Sequence, residues 1–227
     1  MKTLIRKVVE SSLYKYGFQL QPWVVLSPWK DDPHFEKLYE QTKEYSLVGR
    51  VQCYMIYQYA KHVASLPGDI AEVGVYKGGT ARLLAKVFEP TGKAIHLFDT
   101  FSGMPLTDSS KDIHKEGDFN DTSLESVRNY LNDCRHVRLY KGLFPATSKP
   151  ISESMFCMVH VDVDIYKSVM DCCEFFYPCM EKGGIIIFDD YGVLDCPGAK
   201  IAVDEFFSDK PEHPIYLQTG QCIVARL

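Results

Sequence analysis

The chain has no apolar run near the ~20 residues that a membrane-crossing helix needs, and it has no excess of positive charge. Its 25 Lys and Arg are outnumbered by 30 Asp and Glu, a formal net charge of −5. A nucleic-acid-binding protein normally carries a basic face, so that class is excluded, and the acidic balance gives no reason to expect a membrane surface. None of the eight cysteines stands at Cys-x-x-Cys spacing. Several, including Cys157, Cys196 and Cys222, read as reduced core residues rather than as zinc ligands or a disulfide framework. There is no internal repeat and no low-complexity tract. Arg6 and Lys7 fall where a signal peptide needs its apolar stretch, so a cytoplasmic protein is expected.

What is present suits a single core with an appended cap: 227 residues, 46% of them hydrophobic and 24% charged. From about Gly68 onward, short apolar runs alternate with helical patterns, which predicts a parallel sheet with crossover helices. Strands are expected at 69–73, 94–98, 137–140, 155–161 and 185–188. Helices are expected at 79–88, 123–132 with Thr122 or Ser123 as N-cap, 167–180 with Pro178 straining its end, and 198–207. A closing hairpin, 215–218 and 221–225, turns around Thr219 and Gly220. Residues 1–66 show no strand pattern. Helices at 3–16, 34–45 and 49–65, with a Pro/Trp stretch (Pro22, Trp23, Pro28, Trp29, Pro33) between the first two, read as a helical cap on a domain spanning 67–227. Tyr54, Tyr57 and Tyr59 on the third helix read as core or subunit interface, with the lining of an acceptor pocket as the rival. Residues 106–122 are polar and too long for a simple connection; such loops are lids or disordered.

The chemistry concentrates behind the strands. After the first strand comes Glu72-Val-Gly-Val-Tyr-Lys-Gly-Gly-Thr80, a turn whose glycines let backbone approach a ligand. It does not follow the Gly-x-Gly-x-x-Gly dinucleotide fingerprint, and a tight strand-to-helix turn alone also accounts for it. Asp99, at the end of the second strand, is placed to hold the ribose hydroxyls of an adenosine, or else to cap the turn of Thr100 and Ser102. The fourth strand ends in His160-Val-Asp162-Val-Asp164, the fifth in Phe188-Asp189-Asp190. Strand ends meet at one edge of such a sheet, so Asp162, Asp189 and Asp190 should converge. Three acids together repel unless a cation holds them, and hard oxygen ligands suit Mg²⁺. The plainer reading is of loop acids capping helices. His160 is expected to point into the core.

The segments EVGVYKGGTARLLA, FDTFSGMP, GDFNDTSLESV, VHVDVDIYKS, GGIIIFDDYG and GAKIAVDEFF, in that order over residues 67–207, resemble the macrocin-O-methyltransferase family. The resemblance implies a Rossmann-like class I methyltransferase sheet of seven strands, mostly parallel with the last antiparallel. It implies Mg²⁺ at Asp162, Asp189 and Asp190, Asp164 as general base, and S-adenosylmethionine bound by Glu72, Gly74 and Asp99. The expected donor site extends to Tyr76, Gly78, Thr80, Thr100, Ser123 and Asp162. The resemblance also implies a small hydroxylated acceptor of the saccharide class; a homodimer or higher homo-oligomer is expected.

The chemistry is coherent on its own terms. A sulfonium methyl is already activated, so the protein has to align an oxygen and take its proton. A metal lowers the hydroxyl pKa, and Asp164 lies two residues beyond Asp162, as base or as outer-shell ligand. Tyr166 and Tyr191 are expected to line the acceptor site. His114 in the lid contacts the acceptor or is a solvated loop histidine. Arg128, Arg135 and Arg138 read as solvated surface. The rival readings are a catechol-type O-methyltransferase, a Mg²⁺ phosphohydrolase or glycosyltransferase suggested by Asp162-Val-Asp164, and a non-catalytic binding module.

Overall fold

The computed structural model describes residues 27–227, so the expected helix at 3–16 and the residues Pro22 and Trp23 lie outside the described part. Met1–Glu36 and Lys37–Leu227 are separate compact units. Of the first unit, a 3₁₀ turn, Pro28–Asp31, is described, together with the opening of helix α1, Pro33–Thr42, which runs on into the second unit.

A seven-stranded sheet forms the second unit: β1 (Asp69–Val73), β2 (Ile95–Asp99), β3 (Val137–Lys141), β4 (Phe156–Val161), β5 (Met180–Phe188), β6 (Ile215–Tyr216) and β7 (Cys222–Ala225). Its order is β3-β2-β1-β4-β5-β7-β6. β1 to β5 are mutually parallel, and β7 runs against both β5 and β6, the architecture expected from sequence. All six residues of β4 are buried, as a strand covered on both faces requires. Order reverses between β1 and β4, and that is where a doubly wound sheet opens a ligand crevice.

The remaining helices are α2 (Arg50–Val63), α3 (Gly79–Phe88), α4 (Leu124–Tyr130), α5 (Tyr166–Phe176) and α6 (Pro197–Phe207). α3 turns Ala81, Leu83, Leu84, Ala85 and Phe88 inward, an i, i+3, i+4 stripe facing the sheet. α2 packs on α3, β4 and β5, burying Tyr54 and Tyr57 beside Ile56 and Ala60; this bears out their reading as packing residues.

Two boundaries differ most from the sequence expectation. α5 stops at Phe176, and a 3₁₀ turn, Tyr177–Cys179, replaces the last helical turn. Pro178 has no N–H to continue the ladder. β5 begins at Met180 rather than Ile185, because Gly183 and Gly184 lie inside the strand at a register shift against β4. Glycines that read as a turn are here an irregularity within the sheet.

Candidate active site

A cavity of about 380 Å³ lies at the carboxyl ends of β1, β2, β4 and β5, within the usual size of a small-molecule site. One wall is the turn after β1. Gly74 there has φ +89°, and a Cβ at that position would fall 1.7 Å from the carbonyl oxygen of Asp162. Only glycine lets the turn lie this close to the end of β4. Gly78, at φ +93°, faces Tyr130 and Val127 rather than the cavity.

Asp99 organises this wall. Its Oδ2 accepts from the backbone N–H of Val75 (2.7 Å) and of Tyr76 (2.8 Å), and its Oδ1 from Phe101 N–H (2.6 Å). Thr100 Oγ1 adds a longer bond to Oδ1 at 3.4 Å, so the carboxylate fixes two turns at once at the edge of a cavity that Asp99 and Thr100 both line. Thr80, nearly fully buried in the first turn of α3, lines the same wall. Ser123 sits elsewhere: it caps α4, accepting from Ser126 N–H at 3.2 Å.

The floor carries the acids. Asp162 N–H bonds Val73 O and Asp189 N–H bonds Val161 O, each at 2.9 Å, so the ladder itself brings the two strand ends level. Ligand oxygens of Asp162, Asp189 and Asp190 lie within 4.8 Å of one another. Burial, then the charges of Asp189 and Asp190, hold the Asp162 carboxyl well above the usual carboxylate range. Burial, then Asp164 and Asp189, do the same to Asp190. Such a set resists full ionisation unless a cation joins it.

Beneath the floor runs a buried ionic chain. The β1–β4 register sets Glu72 beside His160. His160 Nδ1 donates to Glu72 Oε1 (2.8 Å), and its Nε2 to Asp189 Oδ1 (3.3 Å). Burial opposes a charge on this imidazole, but the bonds to Asp189 and Glu72 prevail and hold its pKa well above the ordinary value. The expectation of a core histidine is met in position, yet His160 is an ion-paired link rather than an inert filler. Glu72 Oε2 is buried and makes no hydrogen bond among the described residues, and Glu72, expected at the donor site, lies beneath the cavity rather than in its lining. Asp189 receives two further bonds, from Gln221 Nε2 at 2.7 Å and Gln52 Nε2 at 3.4 Å.

Residues 106–122 are anchored in defined places and contribute to the cavity lining. Asp112 Oδ1 accepts from Tyr166 N–H at 2.8 Å, supplying the acceptor that the N-cap residue Ile165 lacks. At the far end of this segment, Asp121 accepts from Tyr76 OH (2.8 Å) and Lys77 Nζ (2.6 Å). His114, Phe119 and Thr122 line the cavity, as does Asp164. Tyr76, Phe119 and Asp164 hold φ of 50°, 59° and 58°. Left-handed backbone at non-glycine residues costs of order 1–3 kcal/mol each and gathers at functional sites.

The structure thus brings Gly74, Tyr76, Thr80, Asp99, Thr100, His114, Asp162, Asp164, Asp189 and Asp190 around one cavity. Tyr166 and Tyr191 are turned away, their hydroxyls donating to Glu205 (2.5 Å) and Asp204 (2.8 Å) on α6. Sequence reasoning missed Gln52, Gln221 and Cys196. The two glutamines reach Asp189 across 137 and 32 residues of chain, and no local pattern marks such partners. Cys196, which lines the cavity, had a faint signal in following the acid-bearing loop after β5.

Residues 39–216 match the macrocin-O-methyltransferase (TylF) family. The chain is 30% identical over 156 residues to demethyldecarbamoylnovobiocin O-methyltransferase of Streptomyces niveus, a match covering 63% of this chain and 59% of that protein. It is 29% identical over 150 residues to the 8-demethyl-8-(2,3-dimethoxy-alpha-L-rhamnosyl)-tetracenomycin-C 4'-O-methyltransferase of Streptomyces olivaceus, covering 59% and 57%. The chain thus spans less than two thirds of the length of these curated relatives. The solved structure of the O-methyltransferase NovP superposes with a TM-score of 0.71 at 27% identity, covering 80% of this chain and 82% of NovP.

Proposed function

The chain belongs to the macrocin-O-methyltransferase family, and from that premise we propose a Mg²⁺-dependent O-methyltransferase that uses S-adenosylmethionine. The acceptor is a hydroxyl of a sugar or glycosylated small molecule, the kind of group that the name of the tetracenomycin relative specifies for that enzyme. The observation that carries the reading is the convergence of Asp162, Asp189 and Asp190 on the floor of a cavity walled by the Gly74 turn and Asp99.

The residues fit both groups. An all-oxygen donor set at the end of two strands suits a hard dication, and the raised pKa values of Asp162 and Asp190 are what a cation would relieve. On the donor side, Asp99 lines the cavity at the end of β2, where its carboxylate can exchange the long bond from Thr100 for ribose hydroxyls, and Glu72 supports the floor from beneath through His160. Ser46, Leu47, Val48 and Gln52, from the segment read as a cap, line the same cavity and form the acceptor side.

Bound Mg²⁺ would polarise the acceptor hydroxyl and lower its pKa. The protein does the rest. Asp162, Asp189 and Asp190 would hold the ion, and Asp99 with the β1 turn would fix the donor so that oxygen and methyl carbon are in line. Asp164 accepts the hydroxyl proton. Burial raises its pKa, with His114 opposing, and a base nearer neutrality is the better match for this task. The new C–O bond forms as the C–S bond breaks, its electron pair staying on sulfur to give S-adenosylhomocysteine. Met104, Phe119 and Phe144 line the cavity and keep water from the sulfonium.

The test is transfer of labelled methyl from S-adenosylmethionine to a panel of saccharides and phenols, with and without a chelator. Metal-dependent labelling of a saccharide is expected. Chelator-insensitive transfer would remove the metal from the reading, and labelling of phenols alone would move the acceptor to the catechol class.

A further inference from the structure

Beside the all-oxygen cluster is a second group of possible ligands with a different chemistry. His114 Nε2, Cys196 Sγ and Asp164 Oδ1 lie within 4.8 Å of one another, and all three residues line the cavity. From Cys196 Sγ the distances are 3.6 Å to His114 Nε2 and 3.4 Å to Asp164 Oδ1, and His114 Nε2 stands 3.9 Å from Asp164 Oδ1. A tetrahedron with Zn–S ~2.3 Å, Zn–N ~2.0–2.1 Å and Zn–O ~2.0–2.2 Å has ligand-to-ligand edges of roughly 3.3–3.6 Å. Two of the three edges are already there, and the third closes with a small turn of the imidazole.

An independent feature points the same way. Asp118 Oδ2 accepts from His114 Nδ1 at 3.3 Å, which fixes the tautomer and leaves the Nε2 lone pair facing Cys196 and Asp164. A carboxylate behind a histidine is the usual outer-shell support of a metal-ligating imidazole. Three protein ligands and an open fourth position on a cavity describe an accessible zinc site. The mixed N, S, O set selects Zn²⁺ over Mg²⁺, which takes oxygen in octahedral geometry.

We propose that His114, Asp164 and Cys196 form a second cation site, for Zn²⁺ or another thiophilic divalent ion, whose filling switches the enzyme off. Binding displaces the Cys196 thiol proton to solvent. It takes the Asp164 carboxylate out of proton acceptance and pins the lid, through His114, to the wall of the cavity. The site itself rests on geometry alone; its inhibitory role rests on the function proposed above.

Co²⁺ is the probe, titrated into the full chain at saturating Mg²⁺ so that the oxygen cluster is filled. Cobalt ligated by thiolate gives a near-ultraviolet charge-transfer band that oxygen ligands do not. One equivalent of band is expected, lost in Cys196→Ser and kept in Cys53→Ser, where another buried thiol is removed. Asp118→Asn should weaken Co²⁺ binding by about ten- to a hundredfold, and His114→Asn at least as much. No band, a band surviving Cys196→Ser, or an affinity unmoved by both lid variants overturns the site. Methyl transfer in Mg²⁺ should fall when Zn²⁺ is added in slight excess over protein. Cys196→Ser should instead hold its own Mg²⁺-supported rate. Transfer unaffected by Zn²⁺ in a protein showing the band overturns the inhibitory role and leaves the site. Absence of any transfer by the wild type removes the functional reading, and with it the inhibition, while the Co²⁺ titration still decides the site.

Discussion

At position 74 a single added methyl group would collide with the carbonyl of Asp162 at 1.7 Å, on a backbone already at φ +89°. Gly74→Ala should therefore lower the urea midpoint, with a loss at or above the roughly 1–3 kcal/mol of such strain, and weaken Mg²⁺ binding by displacing Asp162. Unchanged stability would mean that the turn gives way cheaply. Asp164 is the other decisive residue. Asp164→Asn keeps its shape and removes the proton acceptor, so turnover should fall about a hundredfold or more with Mg²⁺ affinity little changed. Activity should recover in part as pH rises and hydroxide substitutes for the base. Asp189→Asn should instead lose metal. A pH–rate profile with parallel metal titration of both variants separates base from ligand, and equal metal loss in the two would make Asp164 a ligand. The acids themselves were legible because each pair follows an apolar strand. Their partners were not: nothing near Asp189 in sequence announces His160, Gln52 or Gln221.

Among the elements, the lid is tied to the helices it covers. Asp112 caps α5 and lies against Gly198 at the start of α6, where a Cβ would meet its Oδ1 at 2.0 Å. Asp112→Ala should cost about 1 kcal/mol, as the loss of a helix cap does. It should also speed hydrogen exchange across residues 106–122 more than across β4; equal protection in both proteins would deny the lid this anchor. The C-terminal edge is tied differently. Glu212 is buried among Tyr177 OH at 2.7 Å, Leu227 N–H at 3.2 Å and the Arg226 guanidinium. Burial pushes its carboxyl up, but these donors outweigh it and hold the pKa at about 2. A carboxyl depressed in the folded state contributes stability above its unfolded pKa and loses it as pH falls through the folded one. Between pH 5 and 2 the wild type should thus lose urea stability more steeply than Glu212→Gln. Parallel slopes in that window would show that the pairing adds nothing. From sequence, 106–122 stood out by length and polarity, but its anchor did not, because nothing about Tyr166 hints that a residue 54 positions earlier caps its helix.

For the whole molecule, donor binding and folding are linked. S-adenosylhomocysteine at a hundred times its dissociation constant should stabilise the fold by about 2.7 kcal/mol, raising the melting temperature by roughly 5–10 °C for a chain of this size. Asp99→Ala should lose most of that shift, and a full shift in the variant would place the donor elsewhere. The sequence alone determined the sheet, its strand count and the edge where the chemistry gathers, because strand and helix periodicity are local properties and parallel strands present their ends together. It also determined the acid pairs that close β4 and β5. Only the tertiary structure decided which groups those acids meet. The β1–β4 register sets Glu72 beside His160, the hairpin brings Gln221 to Asp189, and the lid carries His114 to Asp164 and Cys196. Tyr166 and Tyr191, neighbours of the acids in sequence, turn away to α6. The reason is that side-chain contacts depend on how distant segments pack, and neither periodicity nor spacing along the chain carries that information.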